Sequence, residues 1–138
     1  MRKLLVIQEH HAHKAGLHWD IRFESNGNLD SYIYKRNDKT IEPMVISSKK
    51  VLRSFCIPKH RFPKDDEKLL CIPTEDHPWE YKDFSGVIEH GYGKGEVNLI
   101  FNNYIEVPIF TRTEIEFIYN NIKYKMFKFK NNFLIKKI

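Results

Sequence analysis

The chain has few cysteines, no long apolar run and no acidic residue near its C-terminal end. Two cysteines among 138 residues are too few to cross-link a small secreted fold, so Cys56 and Cys71 are expected to be buried, reduced thiols. No apolar run approaches bilayer-spanning length, and the apolar segment after Met1 is too short for a secretion signal. We therefore expect a soluble, cytoplasmic protein with no membrane partner.

Long amphipathic helix patterns are also missing, whereas aromatic residues, which favour strands, make up 14% of the chain. Short apolar runs alternate with turn signals such as Asn120-Asn121 and Asn131-Asn132. We expect one domain over residues 1–138, a compact antiparallel β-barrel with a short helical turn at 78–84. The predicted strands are residues 4–7, 18–24, 29–34, 41–46, 51–57, 69–72, 86–88, 96–101 and several from 104 to 138.

Positive charge is concentrated at the C-terminal end. The net charge is +5, and residues 117–138 carry six lysines but no acidic residue. Lys123, Lys125, Lys128 and Lys130 alternate with mainly aromatic residues. This pattern fits a solvated strand whose lysines protect a sheet edge, and it equally fits a basic strip that attracts a phosphate backbone.

Polar and apolar residues alternate from His18 to Arg22. Because successive side chains of a strand point to opposite faces, His18, Asp20 and Arg22 should share one face. Gln8 and His10 are also two residues apart, near the end of the preceding apolar run. A neighbouring strand can therefore present a second imidazole to the same place.

Two imidazoles and one carboxylate form a mixed nitrogen and oxygen site that suits Mn²⁺, Fe²⁺ or Zn²⁺ and leaves positions open for water and substrate. Such an ion polarises a phosphoryl oxygen and acidifies a water molecule. Arg22 would supply a planar donor for phosphate oxygens, with Lys59 and His77 as further cationic groups. These residues predict a site for a phosphate ester, and the candidate metal ligands are His10, His18 and Asp20.

Longer blocks of sequence extend this pattern. They are VIQEHHA at residues 6–12 with LHWDIRFE at 17–24, VLRSFCIPK at 51–59, LCIPTEDHP at 70–78 with EYKDFSG at 80–86, and NFLIKK at 132–137. In these blocks the chain resembles the 3′-phosphoesterase domain of bacterial and archaeal DNA ligase D and its stand-alone relatives. Because the blocks occur in order and cover nearly the whole chain, the resemblance is specific.

The resemblance implies a β-barrel with a polar groove that binds one divalent metal, manganese in preference to zinc, cobalt or iron. The implied reaction removes a 3′-phosphate from a DNA or RNA end and leaves a hydroxyl, in DNA repair. A monomer is expected, with a separate ligase or polymerase as its partner enzyme. The implied metal ligands are His10, His18 and Asp20; the catalytic residues are His18, Arg22, Lys59, His77 and Tyr81; the substrate contacts are Arg22, Lys59, His77, Gln8 and Glu75.

Two departures from the family pattern leave alternatives for individual residues. Seven residues separate His10 from His18, two more than is common in the family, so His11 or His13 is an alternative first ligand. We prefer His10 because Gln8 precedes it and Ala12 follows it. The insertion before residue 51 similarly makes Lys35 a rival of Lys59, which has the expected proline and spacing.

The chain begins too late to carry the N-terminal arm that precedes the first strand in many family members. We therefore expect phosphate removal rather than prior trimming of a terminal ribonucleotide. The same feature motivates a competing interpretation, a non-catalytic module that binds nucleic-acid ends and assists a ligase. A metal-dependent phosphatase for small molecules is the third interpretation.

Overall fold

The computed structural model describes residues 1–26, 34–36, 39–41 and 50–138, the two short segments as paired backbone only. Gly27 of the predicted first turn lies outside these residues, as do most of the strands predicted at 29–34 and 41–46 and the side chain of Lys35.

Within the described residues the chain forms strands and one 3₁₀-helix, Trp79–Asp83, which confirms the predicted helical turn. None of its described helices has the length and apolarity needed to cross a bilayer. The turn at Asn120-Asn121 is confirmed, and the last turn lies at Lys130-Asn131, one residue earlier than predicted. The strands are β1 (Arg2–Ala12), β2 (Gly16–Asn26), β3 (Tyr34–Arg36), β4 (Lys39–Ile41), β5 (Lys50–Ile57), β6 (Lys68–Pro78), β7 (Gly86–Ile88), β8 (Gly95–Glu106), β9 (Ile109–Phe110), β10 (Glu114–Tyr119), β11 (Ile122–Phe129) and β12 (Asn132–Lys137).

Ten of these strands form one antiparallel sheet in the order β7-β8-β1-β2-β5-β6-β12-β11-β10-β9, and β3 pairs with β4. The predicted all-β, antiparallel fold is confirmed. The predicted barrel holds only loosely, because the sheet is not closed: its edge strands β7 and β9 do not pair with each other. These edge strands have three and two residues. Strands this short expose few backbone hydrogen-bonding groups, either for closing the sheet or for unwanted pairing with another chain.

One face of the sheet packs into an apolar core with an aromatic centre. The ring of Phe23 meets those of Phe55 and Phe117 edge-on, at centroid distances of 6.5 and 5.3 Å, the tilted geometry that aromatic pairs prefer. Cys71 belongs to this core, and burial raises the pKa of its thiol well above the ordinary value. Cys56, which forms no disulfide bond, is only half-buried because it lies on the opposite face.

The face opposite the core, called the outer face below, carries polar side chains where β1 and β2 pair. His18, Asp20 and Arg22 share this face as predicted, yet they are only 8%, 7% and 3% exposed. An ordinary outer face of an antiparallel sheet is solvated. The 3₁₀-helix and the loop that precedes β8 cover this part of the sheet and make it a polar interior.

A β-bulge in β6 sets the direction of His77. Ser54 of β5 pairs with Thr74, whereas Leu52, two residues earlier, pairs with His77, three residues later. One extra residue of β6 is therefore inserted opposite Arg53, which is the pattern of a β-bulge. Because the bulge shifts the alternation of β6 by one residue, His77 joins the outer face instead of pointing into the core.

Asp76, inside this bulge, is a buried carboxyl group whose charge state should control stability. It is 7% exposed, and burial raises its pKa to about 6 against the opposing positive charge of Arg53. An acid whose pKa is higher in the folded chain stabilises the fold at low pH, and this contribution is lost as the pH rises through about 6. We expect Asp76→Asn to raise the free energy of unfolding at about pH 7.5 by up to about 3 kcal/mol and to change it little near pH 4.

Urea unfolding of both proteins at the two pH values measures this effect. A variant that is less stable than the parent at the higher pH would show that attraction between the Asp76 carboxylate and Arg53 outweighs the cost of burying the charge.

The lysines of β11 lie on an interior strand, because β10 and β12 flank it. They therefore do not protect a sheet edge, which excludes one of the two interpretations of the basic segment. Lys123 and Lys125 lie on the outer face, whereas Lys128 pairs with the core residue Phe133 and Lys130 lies in the following turn. The basic strip of the other interpretation is thus divided between two faces.

Candidate metal centre

Pairing between β1 and β2 brings the first polar residues together. Gln8 lies opposite Asp20, and His10 lies opposite His18, so alternation along each strand places all four side chains on the outer face. The imidazole rings of the two histidines lie 4.8 Å apart. Arg22 follows Asp20 on the same face of β2.

The carboxylate of Asp20 lies between the two imidazoles. His10 Nδ1 is 3.3 Å from Asp20 Oδ2, and His18 Nε2 is 3.2 Å from Asp20 Oδ1. The ligand atoms of these three residues all lie within 4.8 Å of one another, which is close enough to share one metal ion. Among the described residues this is the one such group of histidine, cysteine and acidic side chains.

The alternative histidines point away from this centre. His11 is exposed and its Nε2 lies 3.2 Å from Glu9 Oε1, on the other face of β1. His13 is exposed in the turn between β1 and β2. Of the clustered N-terminal histidines, the geometry therefore favours His10.

The second nitrogen of each imidazole faces a backbone carbonyl. His10 Nε2 lies 2.7 Å from the carbonyl oxygen of Gly93, and His18 Nδ1 lies 3.2 Å from that of Gly16. Because a carbonyl only accepts, each of these nitrogens must carry a hydrogen. In a neutral ring, His10 Nδ1 or His18 Nε2 then directs a lone pair towards Asp20, and a cation satisfies the three converging acceptors; in a protonated ring the same nitrogen donates to the carboxylate. Carbonyls behind ligating histidines are also the usual outer partners of a metal centre.

The acceptors of this centre also influence one another's charge. Burial alone would raise the pKa of Asp20, but hydrogen bonds from His10 and His18 and the charge of Arg22 hold it well below its ordinary value. Burial lowers the pKa of His18, yet its hydrogen bond with Asp20 and the charge of that carboxylate outweigh burial and leave the pKa raised. The carboxylate is thus ionised at neutral pH and attracts positive charge.

Arg22 is fixed in one orientation by contacts on each side of its guanidinium group. Its Nε donates to Gln8 Oε1 at 2.7 Å, one terminal nitrogen lies 3.5 Å from Asp20 Oδ2, and the other lies 3.2 Å from His77 Nδ1. The group also lies over the ring of Tyr81, 4.8 Å from its centroid. Such a buried, oriented guanidinium matches the geometry of phosphate oxygens.

Gln8 ties the strand to the element that covers the site. Its side-chain nitrogen donates to the carbonyl oxygens of Tyr81 and Phe84, at 3.2 and 3.1 Å, at the end of the 3₁₀-helix. Its oxygen is the acceptor for Arg22. Gln8 therefore positions both the guanidinium and the covering helix.

His77 is a neutral imidazole beside this guanidinium. Burial and the charge of Arg22 lower its pKa to about 4. Its Nδ1 lies near Ser54 Oγ, at 3.3 Å, and faces an arginine nitrogen that can only donate. The same Nδ1 lies 3.0 Å from the carbonyl oxygen of Glu75, which only accepts, so this nitrogen faces both a donor and an acceptor.

Two predicted residues are not brought into the cluster. Lys59 is exposed in the turn after β5 and makes no hydrogen bond or ion pair with any described residue. The side chain of Glu75 is exposed as well, although its backbone carbonyl lies 3.0 Å from His77 Nδ1. The residues brought together are Gln8, His10, His18, Asp20, Arg22, His77 and Tyr81.

Two further residues, Ser54 and Gly93, contact the cluster although the sequence did not identify them. Ser54 is 1% exposed and pairs with Arg22, a position that alternation along the 51–59 block could have indicated. Gly93 belongs to a glycine-rich loop whose sequence indicates a turn and no ligand contact. A Cβ at Gly93 would lie 3.4 Å from His10 Cε1, so glycine allows this loop to approach the ring closely.

No family model matches the chain. Among curated proteins, the multifunctional non-homologous end joining protein LigD of Mycolicibacterium smegmatis is 38% identical over 93 residues, which are 67% of this chain and 9% of that protein. The LigD end joining DNA repair protein of Mycobacterium tuberculosis is 37% identical over the same shares. LigD of Pseudomonas aeruginosa is 32% identical over 92 residues, 66% of this chain and 8% of that protein.

The matched stretch thus spans about a tenth of the length of these relatives. Over about two thirds of its own length, the chain is homologous to one segment of LigD, a multifunctional protein of non-homologous end joining.

Proposed function

We propose that this chain is a metal-dependent 3′-phosphoesterase that removes the terminal phosphate from DNA or RNA ends during DNA repair. The observation that carries the proposal is the convergence of three acceptor side chains, His10, His18 and Asp20, beside a buried arginine. This is a donor set for a divalent cation next to a donor for phosphate. The role of the relatives in end joining supports nucleic-acid ends as the substrate class.

His10 Nδ1, His18 Nε2 and the Asp20 carboxylate would hold the metal, with manganese as our first choice and zinc, cobalt or iron as alternatives. When bound there, the ion would polarise a phosphoryl oxygen and lower the pKa of a water molecule. The carbonyls of Gly16 and Gly93 would keep both imidazoles turned towards it.

Arg22 would neutralise the charge that develops on the phosphoryl oxygens. Its position is set before substrate binds, because Gln8 and the ring of Tyr81 already hold the guanidinium. A preorganised cation in a site that is largely shielded from water stabilises developing charge more strongly than a mobile one.

His77 would contact the phosphate as a neutral imidazole. With a pKa of about 4 the ring is neutral at physiological pH. A neutral imidazole is a poor acid, so this charge state favours hydrogen bonding to a phosphoryl oxygen over protonation of the departing 3′ oxygen. Lys59 and Glu75 would be peripheral contacts that meet the substrate outside the cluster.

Phosphate release from a 3′-phosphorylated primer, measured with and without Mn²⁺, tests the proposal. We expect release that depends on the metal, stops on chelation and falls by at least about 100-fold in His18→Ala, because a ligand is lost. His11→Ala is the matched control on the adjacent strand and should keep the parent rate. Release that survives both chelation and His18→Ala would reject the metal mechanism.

The second candidate, a non-catalytic module that binds nucleic-acid ends, is favoured by the lysine-rich outer face of β11 and β12. It predicts salt-sensitive binding of 3′-phosphorylated ends without turnover under any divalent metal. Equal rates on a mononucleotide and on a primer end would instead favour a small-molecule phosphatase.

A further inference from the structure

Three lysines stand directly opposite one another on neighbouring interior strands. Lys125 of β11 pairs with Lys136 of β12, which pairs with Lys68 of β6, and all three lie on the outer face. We call them the lysine row. Like charges directly opposite in a sheet are destabilising, so a row of three is not what selection for stability alone would produce.

Carboxylates lie at one end of this row. Lys125 contacts Glu114, at 3.2 Å, and pairs in register with Glu116, whereas Lys68 and Lys136 have no carboxylate partner among the described residues. Lys136 instead lies over the ring of Phe127, 5.6 Å from its centroid. The charges of Lys68 and Lys136 are therefore available to a ligand.

An apolar row runs beside the lysine row. It consists of Phe127 of β11, Leu134 of β12 and Leu70 of β6, which pair in register two residues from the lysines. Leu70 is 42% exposed, and Phe129, further along β11, is 50% exposed. Lysines beside accessible apolar and aromatic side chains suit a single nucleic-acid strand, which offers phosphates and base faces together.

This surface is continuous with the candidate metal centre. Asp20 pairs with Cys56 of β5, which pairs with Ile72 of β6, so these three residues cross the outer face in one line. Leu70 and Lys68 are the next outer-face positions along β6. The lysine row on β6 is thus two strand spacings, roughly 10 Å, across and four residues, roughly 14 Å, along from Asp20. That separation is the span of about five stacked nucleotides.

We propose that the lysine row and the apolar row bind the nucleic-acid strand upstream of the 3′ end that occupies the metal centre, an inference that rests on the proposed function for its orientation. Phosphates contact the lysines, while bases lie against the apolar row. The surface makes substrates longer than about five nucleotides bind better than short ones.

The test compares the triple variant Lys68→Gln, Lys125→Gln, Lys136→Gln with a control of equal charge, Arg2→Gln, Lys14→Gln, Lys64→Gln. Binding of a fluorescent single-stranded oligonucleotide of about 20 nucleotides with a 3′-hydroxyl is measured by anisotropy between about 50 and 200 mM salt. Phosphate release is measured separately on a 3′-phosphorylated dinucleotide and on the 3′-phosphorylated form of the long strand.

We expect the triple variant to bind the oligonucleotide 10- to 100-fold more weakly than the control, with a salt slope smaller by about 2, since each phosphate contact on a single strand contributes about 0.7. Release from the dinucleotide should match the parent protein, and the thermal midpoint should stay the same or rise because repulsion is removed. Equal binding by triple variant and control, or an equal loss of activity on both substrates, would overturn the inference.

The binding assay is independent of turnover, so the two proposals fail in different ways. If oligonucleotide binding depends on the lysine row but no phosphate is released, the phosphoesterase proposal is rejected and the proposed binding surface is retained. If release depends on the metal but the triple variant binds the oligonucleotide as tightly as the control does, only the binding surface is rejected.

Discussion

Asp20→Asn is expected to abolish metal binding and to lower phosphate release by a factor on the order of 1,000 or more. The carboxylate is the group that both imidazoles share, at 3.3 and 3.2 Å, and its pKa is held well below the ordinary value, so it is ionised at neutral pH. An amide keeps the shape but offers one neutral oxygen. It also leaves the charge of Arg22, 3.5 Å away, without its counter-ion.

Titration with Mn²⁺, followed by calorimetry or by the electron paramagnetic resonance of the free ion, measures the first effect, and release from a 3′-phosphorylated primer measures the second. We expect metal affinity to fall more than about 100-fold, beyond the loss typical of an outer partner. Urea unfolding of the metal-free proteins separates a local loss from a failure to fold.

Glu24→Gln is the matched control for this variant. Glu24 is on the same strand as Asp20, and its carboxylate accepts from Leu4 N and pairs with Lys50, away from the metal centre. It should retain both metal binding and turnover. If the Asp20 variant bound Mn²⁺ as tightly as this control does, the three-ligand assignment would be wrong.

Local alternation in the sequence was sufficient to predict much of this centre. His18, Asp20 and Arg22 are two residues apart, and a strand places such residues on one face whatever surrounds it. The two-residue spacing of Gln8 and His10 gave the second strand in the same way. Their approach in space depended only on pairing between adjacent antiparallel strands, which is the commonest contact in such folds.

The remaining site features depend on the partner strand, which alternation within one segment does not describe. His77 reaches the outer face only because one extra residue of β6 is accommodated opposite Arg53. Lys59 lies beyond the last residue of β5, where alternation no longer fixes a direction. The lysine row likewise unites Lys68 with residues far along the chain, so it emerges only from the register of β6, β12 and β11.

Two buried arginines on neighbouring strands face opposite sides of the sheet. Arg22 faces the candidate metal centre and is 3% exposed, whereas Arg53 faces the core and is 1% exposed. Arg53 donates to the carbonyl oxygens of Thr111 and Arg112, at 2.7 and 3.0 Å, and so ties β5 to the segment before β10. One guanidinium therefore belongs to the candidate chemistry and the other to the fold.

Arg22→Lys is expected to reduce kcat by roughly 100- to 1,000-fold while metal affinity stays within about threefold of the parent value, because charge is retained but the planar group with its fixed donors is lost. A lysine ammonium cannot contact Gln8, His77 and Asp20 in the directions that the guanidinium uses. Arg53→Lys should show the reverse pattern, a lower free energy of unfolding with kcat nearly unchanged. Steady-state kinetics on the 3′-phosphorylated primer, Mn²⁺ titration and urea unfolding of both variants distinguish these patterns. An Arg22 variant with parental kcat would mean that phosphate is held elsewhere, and the exposed Lys59 would then be the first residue to test.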